Sequence, residues 1–102
     1  MKSKPSRRGV KNGRVEEFFS DGTLSAAGRM AGGKRTGVWK FFLRNGRVRA
    51  TGRFAAGKLE GPWTWYRENG KRLQTGSFKA GRQTGIWKVY DLEGKFLRSR
   101  TY

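Results

Sequence analysis

A 24-residue repeat is the feature that most constrains how this 102-residue chain can fold. Tryptophan recurs at Trp39, Trp63 and Trp87. Glycines keep the same spacing around each tryptophan, at Gly37, Gly61 and Gly85, at Gly46, Gly70 and Gly94, and at Gly33, Gly57 and Gly81. A period in the range of about 20–50 residues is typical of a repeat architecture, in which neighbouring units bury a shared core. The sequence therefore predicts one supersecondary unit used several times.

Each repeat has the pattern of a β-hairpin. Two runs rich in aromatic and β-branched residues flank a turn dipeptide, and the four dipeptides are Asp21-Gly22, Asn45-Gly46, Asn69-Gly70 and Glu93-Gly94. Asn-Gly and Asp-Gly suit a type I′ turn, in which both central residues have positive φ, whereas Glu93 is less suited to it. The predicted strand pairs are residues 14–19 with 24–30, 38–43 with 48–54, 62–67 with 72–78, and 86–91 with 96–102. The fold class is all-β, with no helix.

The turns also set the predicted register, because a two-residue loop fixes which residues face each other. Counting outward pairs Leu43 with Val48, Phe41 with Ala50, Trp39 with Gly52, Trp63 with Gly76 and Val15 with Gly28. A glycine across from each large ring leaves room for the indole to lie over the neighbouring strand. We interpret the resulting face as the core, with Trp39, Phe41, Leu43, Val48, Ala50, Phe54, Trp63, Trp65, Phe78, Trp87, Val89 and Phe96.

The opposite face combines aromatic and basic residues. Phe18, Phe42, Tyr66 and Tyr90 form a column with a spacing of 24 residues, and the basic side chains beside it are Lys40, Arg49, Arg53 and Lys88. The connectors between hairpins each place a basic residue after a central glycine. We expect these three residues, Lys34, Lys58 and Arg82, to line one edge of the array.

Charge indicates the class of partner. The chain has 24 Lys and Arg against 7 Asp and Glu, a formal charge of +17, which favours polyanions such as nucleic acid, anionic lipid or an acidic protein. Cysteine and histidine are absent, which removes disulfides, thiolate nucleophiles and the commonest general base and metal ligand. Glu16 and Glu17 should point to opposite faces, and no carboxylate pair suits acid–base chemistry. We therefore expect no enzyme, metal site or cofactor.

The ends of the chain differ from its middle. Residues 1–13 form a predicted flexible basic arm that precedes a repeat domain spanning residues 14–102, because the arm has five basic residues, no acidic one, and Pro5, Gly9 and Gly13. Its basic start has no apolar region behind it, and no run approaches the roughly 20 apolar residues of a membrane span. A cytoplasmic protein is the expectation. Glu17 at one end and Arg98 with Arg100 at the other replace apolar or small residues of the repeat, which favours capped ends and a monomer, or a small subunit of a complex.

The repeat resembles the MORN family (membrane occupation and recognition nexus), in its bacterial variant. The matching residues are Asn45-Gly46, Gly52, Phe54, Gly57, Lys58, Gly61, Trp63 and Tyr66, then Asn69-Gly70, Gly76, Phe78, Gly81, Arg82, Gly85, Trp87 and Tyr90. The resemblance implies an elongated single-layer antiparallel sheet of four consecutive β-hairpins with a 24-residue repeat. It also implies a binding scaffold without chemistry of its own, and some bacterial members of the family are regarded as antitoxins.

The leading hypothesis for function is binding to the phosphate backbone of DNA or RNA without reading sequence. The predicted contacts are Lys2, Lys4, Arg7, Arg8, Lys11, Lys34, Arg35, Lys40, Arg49, Arg53, Lys58, Arg82 and Lys88, with Phe42, Tyr66 and Tyr90 as possible stacking rings. Two alternatives stay open. One is an antitoxin-type or other protein–protein module that binds an acidic protein, and the other is binding to an anionic membrane surface.

Overall fold

Eight antiparallel strands form one open sheet in the computed structural model, which describes residues 12–102. Each strand pairs with the next along the chain, and the described residues contain no helix. The strands are β1 (Gly13–Phe18), β2 (Leu24–Ala31), β3 (Lys34–Phe42), β4 (Val48–Ala55), β5 (Lys58–Tyr66), β6 (Arg72–Lys79), β7 (Arg82–Tyr90) and β8 (Phe96–Thr101). The extents of 48 × 30 × 14 Å are those of a single layer. The predicted all-β sheet of consecutive hairpins is confirmed.

The predicted basic arm lies mostly outside the described residues. Residues 1–11, with all five basic residues of the arm, are among those not described. Asn12 is the first described residue, and its Oδ1 accepts a hydrogen bond of 3.0 Å from the backbone N–H of Gly32. Gly13 begins β1, one residue before the predicted start of the first strand.

The segments interpreted as connectors are themselves tight hairpin turns. In the three turns that follow β2, β4 and β6, both central residues have positive φ: Gly32 and Gly33 at 59° and 80°, Ala56 and Gly57 at 50° and 85°, Ala80 and Gly81 at 51° and 85°. These are the torsion signs of a type I′ turn, whose twist matches that of the flanking strands. The hairpins are therefore joined edge to edge into one continuous meander.

The Asn-Gly turns have a different geometry, so the prediction of type I′ turns there was wrong. In the turn between β3 and β4 only Gly46 has positive φ, at 89°. The carbonyl of Leu43 accepts from Gly46 N–H at 2.9 Å, and Leu43 N–H donates to the carbonyl of Arg47 at 2.8 Å. These bonds enclose a three-residue loop ending in a left-handed glycine, and Asn45 Oδ1 supports it by accepting from Arg47 N–H at 2.9 Å.

The same geometry explains why Glu93 is tolerated in the fourth turn. Glu93 does not have positive φ, so its side chain imposes no backbone strain there. The supporting acceptor is instead Asp91 Oδ1, which accepts from the backbone N–H groups of Glu93 at 2.9 Å and Lys95 at 2.8 Å. An aspartate two positions earlier thus replaces the Asn or Asp of the other turns.

Most of the predicted register is confirmed because the longer loop is followed by a compensating bulge. The confirmed pairs are Trp39 with Gly52, Phe41 with Ala50, Trp63 with Gly76 and Val15 with Gly28. The predicted pair of Leu43 with Val48 is wrong, since Val48 pairs with Phe42 and Arg49 is the extra residue of the bulge. Val48 therefore leaves the predicted core face and joins the face of Phe42. Phe96, which pairs with Tyr90, leaves it for the same reason.

All the buried hydrophobic residues except Tyr90 lie on one side of the sheet, which we call the Trp face. The buried residues on it are Val15, Ala26, Trp39, Ala50, Phe54, Trp63 and Trp87, and the rings of Phe41, Trp65 and Phe78 pack against them half-buried. Successive rings stack along this face: Trp39 on Phe41 at 6.1 Å between ring centroids, Phe41 on Trp63 at 6.1 Å and Trp63 on Trp65 at 5.9 Å. Aromatic packing therefore forms the core of this single-layer sheet.

Each indole lies over a glycine, but over the one in the preceding hairpin rather than its own cross-strand partner. A Cβ placed on Gly52 would lie 2.1 Å from the ring of Trp63, and one on Gly28 would lie 2.2 Å from the ring of Trp39. The Nε1–H of Trp63 donates to the carbonyl of Arg53, on the preceding strand, at 3.1 Å. This bond holds the ring of Trp63 over β4. The contact between Trp63 and Gly52 therefore packs the third hairpin against the second.

Candidate functional site

The face opposite the Trp face has most of the strand cations, and we call it the basic face. Directly opposed residues of an antiparallel pair project to the same side of the sheet, so the register assigns each charge to a face. Only two acidic residues, Glu16 and Glu60, lie on the basic face. Its basic residues are Arg14, Arg29, Lys34, Lys40, Arg53, Lys58, Arg72, Lys79, Arg82 and Lys88.

A polar row crosses the middle of the basic face. Lys40 pairs with Thr51, Thr51 with Thr64, Thr64 with Thr75, and Thr75 with Lys88. Strands lie about 4.8 Å apart, so Lys40 and Lys88 stand roughly 19 Å apart with three threonine hydroxyls between them. Hydroxyl and ammonium groups are both donors to phosphate oxygens. The row therefore presents a line of hydrogen-bond donors that could contact successive phosphate groups of a ligand.

The type I′ turns stack into one edge, next to which lie the three cations expected there. The backbone N–H of Gly57 donates to the carbonyl of Arg35, and that of Gly81 donates to the carbonyl of Leu59, both at 3.0 Å. Each turn is followed at once by one of the predicted residues, Lys34, Lys58 or Arg82. All three are exposed, and all three belong to the basic face.

Two shallow grooves open beside the Asn-Gly turns. One, of about 620 Å³, is lined by Lys40, Gly46, Arg47, Val48, Thr51, Tyr66 and Gly70, so that the ring of Tyr66 borders two cations. The other, of about 510 Å³, is lined by Phe19, Phe42, Leu43, Arg44, Asn45, Arg49 and Glu68. Two of the three predicted stacking rings, Phe42 and Tyr66, thus line grooves next to basic side chains.

Tyr90, the third predicted stacking ring, is not accessible. Its side chain is only 6% exposed, Arg72 lies over the ring at 4.4 Å from the centroid, and Phe96 contacts it edge-on. Arg72, which covers the ring, comes from β6 of the preceding hairpin. We therefore exclude Tyr90 from the candidate site.

Arg35 is also misplaced among the predicted contacts, because it lies on the Trp face. Its guanidinium group sits 4.7 Å from the centroid of the Trp39 ring and 3.3 Å from the Glu17 carboxylate, whose side chain is 15% exposed. This half-buried pair covers the N-terminal end of the aromatic stack, where β1 provides no ring. Arg35 has a packing role and is excluded from the site.

The sequence reasoning missed several cations. Arg14, Arg29, Arg72 and Lys79 belong to the basic face, and simple alternation from Val15, Gly28 and Gly76 would have placed three of them there. The other edge of the sheet, where the four turns at Gly22, Gly46, Gly70 and Gly94 lie, adds two arginines. Arg44 lies 3.3 Å from Asp21, and Arg67 Nη2 donates to the carbonyl of Tyr90 at 3.0 Å. These two link one turn to the next turn. Arg47, Lys71 and Lys95 share this edge and are exposed.

Four of the acidic residues are occupied by structural contacts. Glu17 pairs with Arg35, Glu60 accepts a hydrogen bond from the N–H of Ala80 at 2.9 Å, and Asp91 supports the fourth turn. Asp21 accepts from both the hydroxyl and the backbone N–H of Thr23, and these bonds, with Arg44 nearby, hold the pKa of its carboxyl below the usual value of 3.8. In residues 12–102, no cluster of three or more acidic, His or Cys side chains could hold a metal ion.

The fold and the site define a repeat scaffold of hairpins with one apolar face and one basic face. Residues 59–80 match the family model described as MORN repeat variant, which confirms the resemblance over the third hairpin, formed by β5 and β6. The matched segment includes Trp63, Tyr66, Gly70 and Gly76. No curated protein and no solved structure matches the chain. In the part of the chain that the structure describes, no helix is both long and apolar enough to cross a membrane.

Proposed function

We propose that this chain is a non-catalytic binding scaffold whose basic face holds the phosphate backbone of DNA or RNA without reading its sequence. The observation that supports this proposal is the uneven distribution of charge between the two faces. The basic face has ten cations and two carboxylates, whereas on the Trp face Arg35 is paired with Glu17 and Arg98 and Arg100 occur only on the last strand. A face that served only solubility would not require such an excess of cations over carboxylates.

The arrangement of donors supports a backbone ligand. Flexible lysines and threonine hydroxyls are spread over the basic face, and such groups contact phosphates without defining a base. Tyr66 and Phe42 sit in grooves bordered by cations, where an unpaired base can stack on a ring. The binding energy then comes mostly from release of counterions, which makes affinity depend strongly on salt.

The absence of catalysis in this proposal rests on what the carboxylates do. Four carboxylates accept hydrogen bonds that stabilise a turn or an end of the sheet: those of Glu17, Asp21, Glu60 and Asp91. A general base must be free to reach a substrate proton at hydrogen-bond distance. Because four of the seven carboxylates are engaged in the scaffold, the proposal assigns a binding function to the remaining surface.

The test compares two variants that lose the same charge from different places. Lys40→Gln with Lys88→Gln removes both lysines of the central row, and Arg98→Gln with Arg100→Gln removes two arginines from the Trp face. Binding of a fluorescent 20-mer, as duplex DNA and as single-stranded RNA, is measured from low to physiological salt. Each phosphate contact contributes about 0.9 to the slope of log K against log[salt] on duplex DNA, so loss of both lysines should lower that slope by about 1.8.

The arginine variant is the control, and its salt slope should stay close to that of the unmodified chain. A salt-independent affinity of the unmodified chain, or equal losses in both variants, would contradict the proposal. Tyr66→Ala should weaken the single-stranded RNA by more than the duplex, because a paired base offers its face to its neighbours and not to the ring.

A further inference from the structure

The repeat changes on β8, the outer strand of the last hairpin. The positions of Ala50 and Gly52 in the second hairpin are occupied in the last one by Arg98 and Arg100, opposite Val89 and Trp87. Two more polar residues, Gln74 and Gln83, join them around a pocket of about 190 Å³ whose apolar residues are Trp87, Val89 and Tyr102. Four long polar side chains therefore cluster at this end of the Trp face, at positions where the repeat has Ala50, Gly52 and Leu59 in the middle of the array.

The same strand leaves backbone groups unpaired. β8 is an edge of the sheet, and all six of its residues are exposed. The N–H of Tyr102 donates to the carbonyl of Gly85 at 2.9 Å, so the backbone groups of residues 98, 100 and 102 point toward β7. By the alternation of an antiparallel ladder, those of Ser99 and Thr101 point away from the sheet. They form a template for one more strand.

We propose that β8 binds an extended acidic segment of a partner protein, which adds a ninth strand to the sheet. The backbone of the segment pairs with Ser99 and Thr101, and two of its carboxylates, two residues apart, pair with Arg98 and Arg100. Residues opposite Arg98 and Arg100 fall in non-hydrogen-bonded pairs, where the side chains of facing residues lie closest. Within the described residues neither arginine has a carboxylate partner.

Charge complementarity selects this occupant over a second copy of the chain. Two β8 strands paired with each other would place arginine against arginine, which disfavours that contact. β1 of a second copy has Glu17, but that carboxylate is already paired with Arg35 in its own sheet. Phosphate would satisfy the guanidinium groups of Arg98 and Arg100, yet it offers no N–H donor for the outward carbonyls of Ser99 and Thr101, which a peptide strand does.

The test uses a capped, fluorescent peptide, Thr-Val-Glu-Val-Glu-Val-Thr, and the full chain. In the proposed pairing its central valine faces Ser99, so N-methylation of that valine removes an N–H that bonds to β8. N-methylation of a glutamate is the matched control, because the N–H of a residue opposite Arg98 or Arg100 points away. Arg98→Gln with Arg100→Gln should weaken binding about tenfold, and Lys40→Gln with Lys88→Gln should change it little.

Each outcome decides the proposal. A loss of binding with methylated valine but not with methylated glutamate, together with the loss in the arginine variant, supports it. It is overturned if the peptide fails to bind at about 1 mM, if both N-methylated peptides bind alike, or if the two protein variants lose affinity equally. If the arginine variant loses affinity for RNA and not for the peptide, β8 is a nucleic-acid contact instead. Concentration-dependent sedimentation that the arginine variant abolishes would assign β8 to self-association.

Discussion

The indole of Trp63 lies flat against the backbone of Gly52 because no side chain stands between them. At the scale of single residues this contact is what allows a one-layer sheet to bury a large ring, since the backbone itself serves as the second wall of the core. A Cβ at residue 52 would lie 2.1 Å from the ring, closer than two non-bonded carbon atoms can approach. The hydrogen bond from Trp63 to the carbonyl of Arg53 depends on the same fit.

Gly52→Ala should therefore destabilise the fold by about 3 kcal/mol, at the upper end of the cost of overpacking, because Trp63 must leave its site. Urea unfolding followed by tryptophan fluorescence measures the change. The control is the double variant with Trp63→Val, which imitates Val15 at the equivalent position of the first hairpin. In that background the extra methyl group has space, so the cost of Gly52→Ala should fall below about 1 kcal/mol. Equal costs in the two backgrounds would contradict the proposed contact.

Asp21 provides a test of pH dependence at the same scale. Hydrogen bonds from Thr23 and the charge of Arg44 lower the pKa of its carboxyl in the folded state below the usual 3.8. A group with a lowered folded pKa stabilises the protein above its unfolded pKa, and that contribution is lost as the pH falls through the folded value. Stability should therefore decline below about pH 4, and Asp21→Asn should reduce the decline. NMR titration of the carboxyl gives the pKa directly, and a value above 3.8 would refute this assignment.

At the scale of elements, the alternation along the strands and the positions of the four dipeptide turns could be predicted from sequence, but the geometry of the turns could not. Period-2 patterning identified the strands, the Trp face and most of the register. It failed at the dipeptides because Asn45 can hydrogen-bond the backbone through its side chain and so favours a three-residue loop with one left-handed glycine. The type I′ geometry occurs instead at Ala56-Gly57 and Ala80-Gly81. Alanine rarely adopts positive φ, so the sequence did not predict such a turn there.

The candidate site shows the same division. Residues such as Lys40 and Lys88 could be assigned to the basic face from alternation alone. Tyr90 and Arg35 were misassigned because their burial depends on residues about one hairpin away, Arg72 over the ring and Glu17 beside the guanidinium group. Contacts between repeats require the geometry of neighbouring strands, which a pattern within one strand does not contain.

Alanine at positive φ makes the second type I′ turn a place to gain stability. Ala56 has φ of 50°, a conformation that costs a residue with a Cβ roughly 1 kcal/mol and that asparagine adopts more readily. Ala56→Asn should raise the free energy of unfolding by about 0.5–1 kcal/mol, as measured by thermal and urea unfolding. Ala55→Asn makes the same chemical change at an exposed neighbour whose φ is not positive, and no gain is expected there. A gain at residue 55 as large as that at residue 56 would show that strain relief is not the cause.

At the scale of the whole molecule, each hairpin contacts only its sequence neighbours, because strand order in the sheet is chain order. The stability of such an array is close to a sum of units and interfaces. In the described part of the chain, the terminal hairpins each have one side with no neighbouring repeat, and the residues that cover the two ends differ. Glu17 with Arg35 closes one end of the aromatic stack, while Arg98 and Arg100 remain without carboxylate partners among residues 12–102 at the other. The proposed acidic strand therefore adds to β8 and not to β1.

The repeat predicts that the chain tolerates the deletion of 24 residues, one whole period, but not the deletion of 23. Deleting residues 40–63 joins Trp39 to Thr64 and keeps every remaining side chain on its face, since 24 residues are one period. Deleting residues 40–62 joins Trp39 to Trp63 and turns one part of the strand over, so that polar side chains meet the Trp face. The first variant should unfold cooperatively in urea with a lower free energy and a smaller m-value, as expected for less buried surface. The second should show no cooperative transition, and comparable folding of both would mean that the 24-residue period does not specify the sheet.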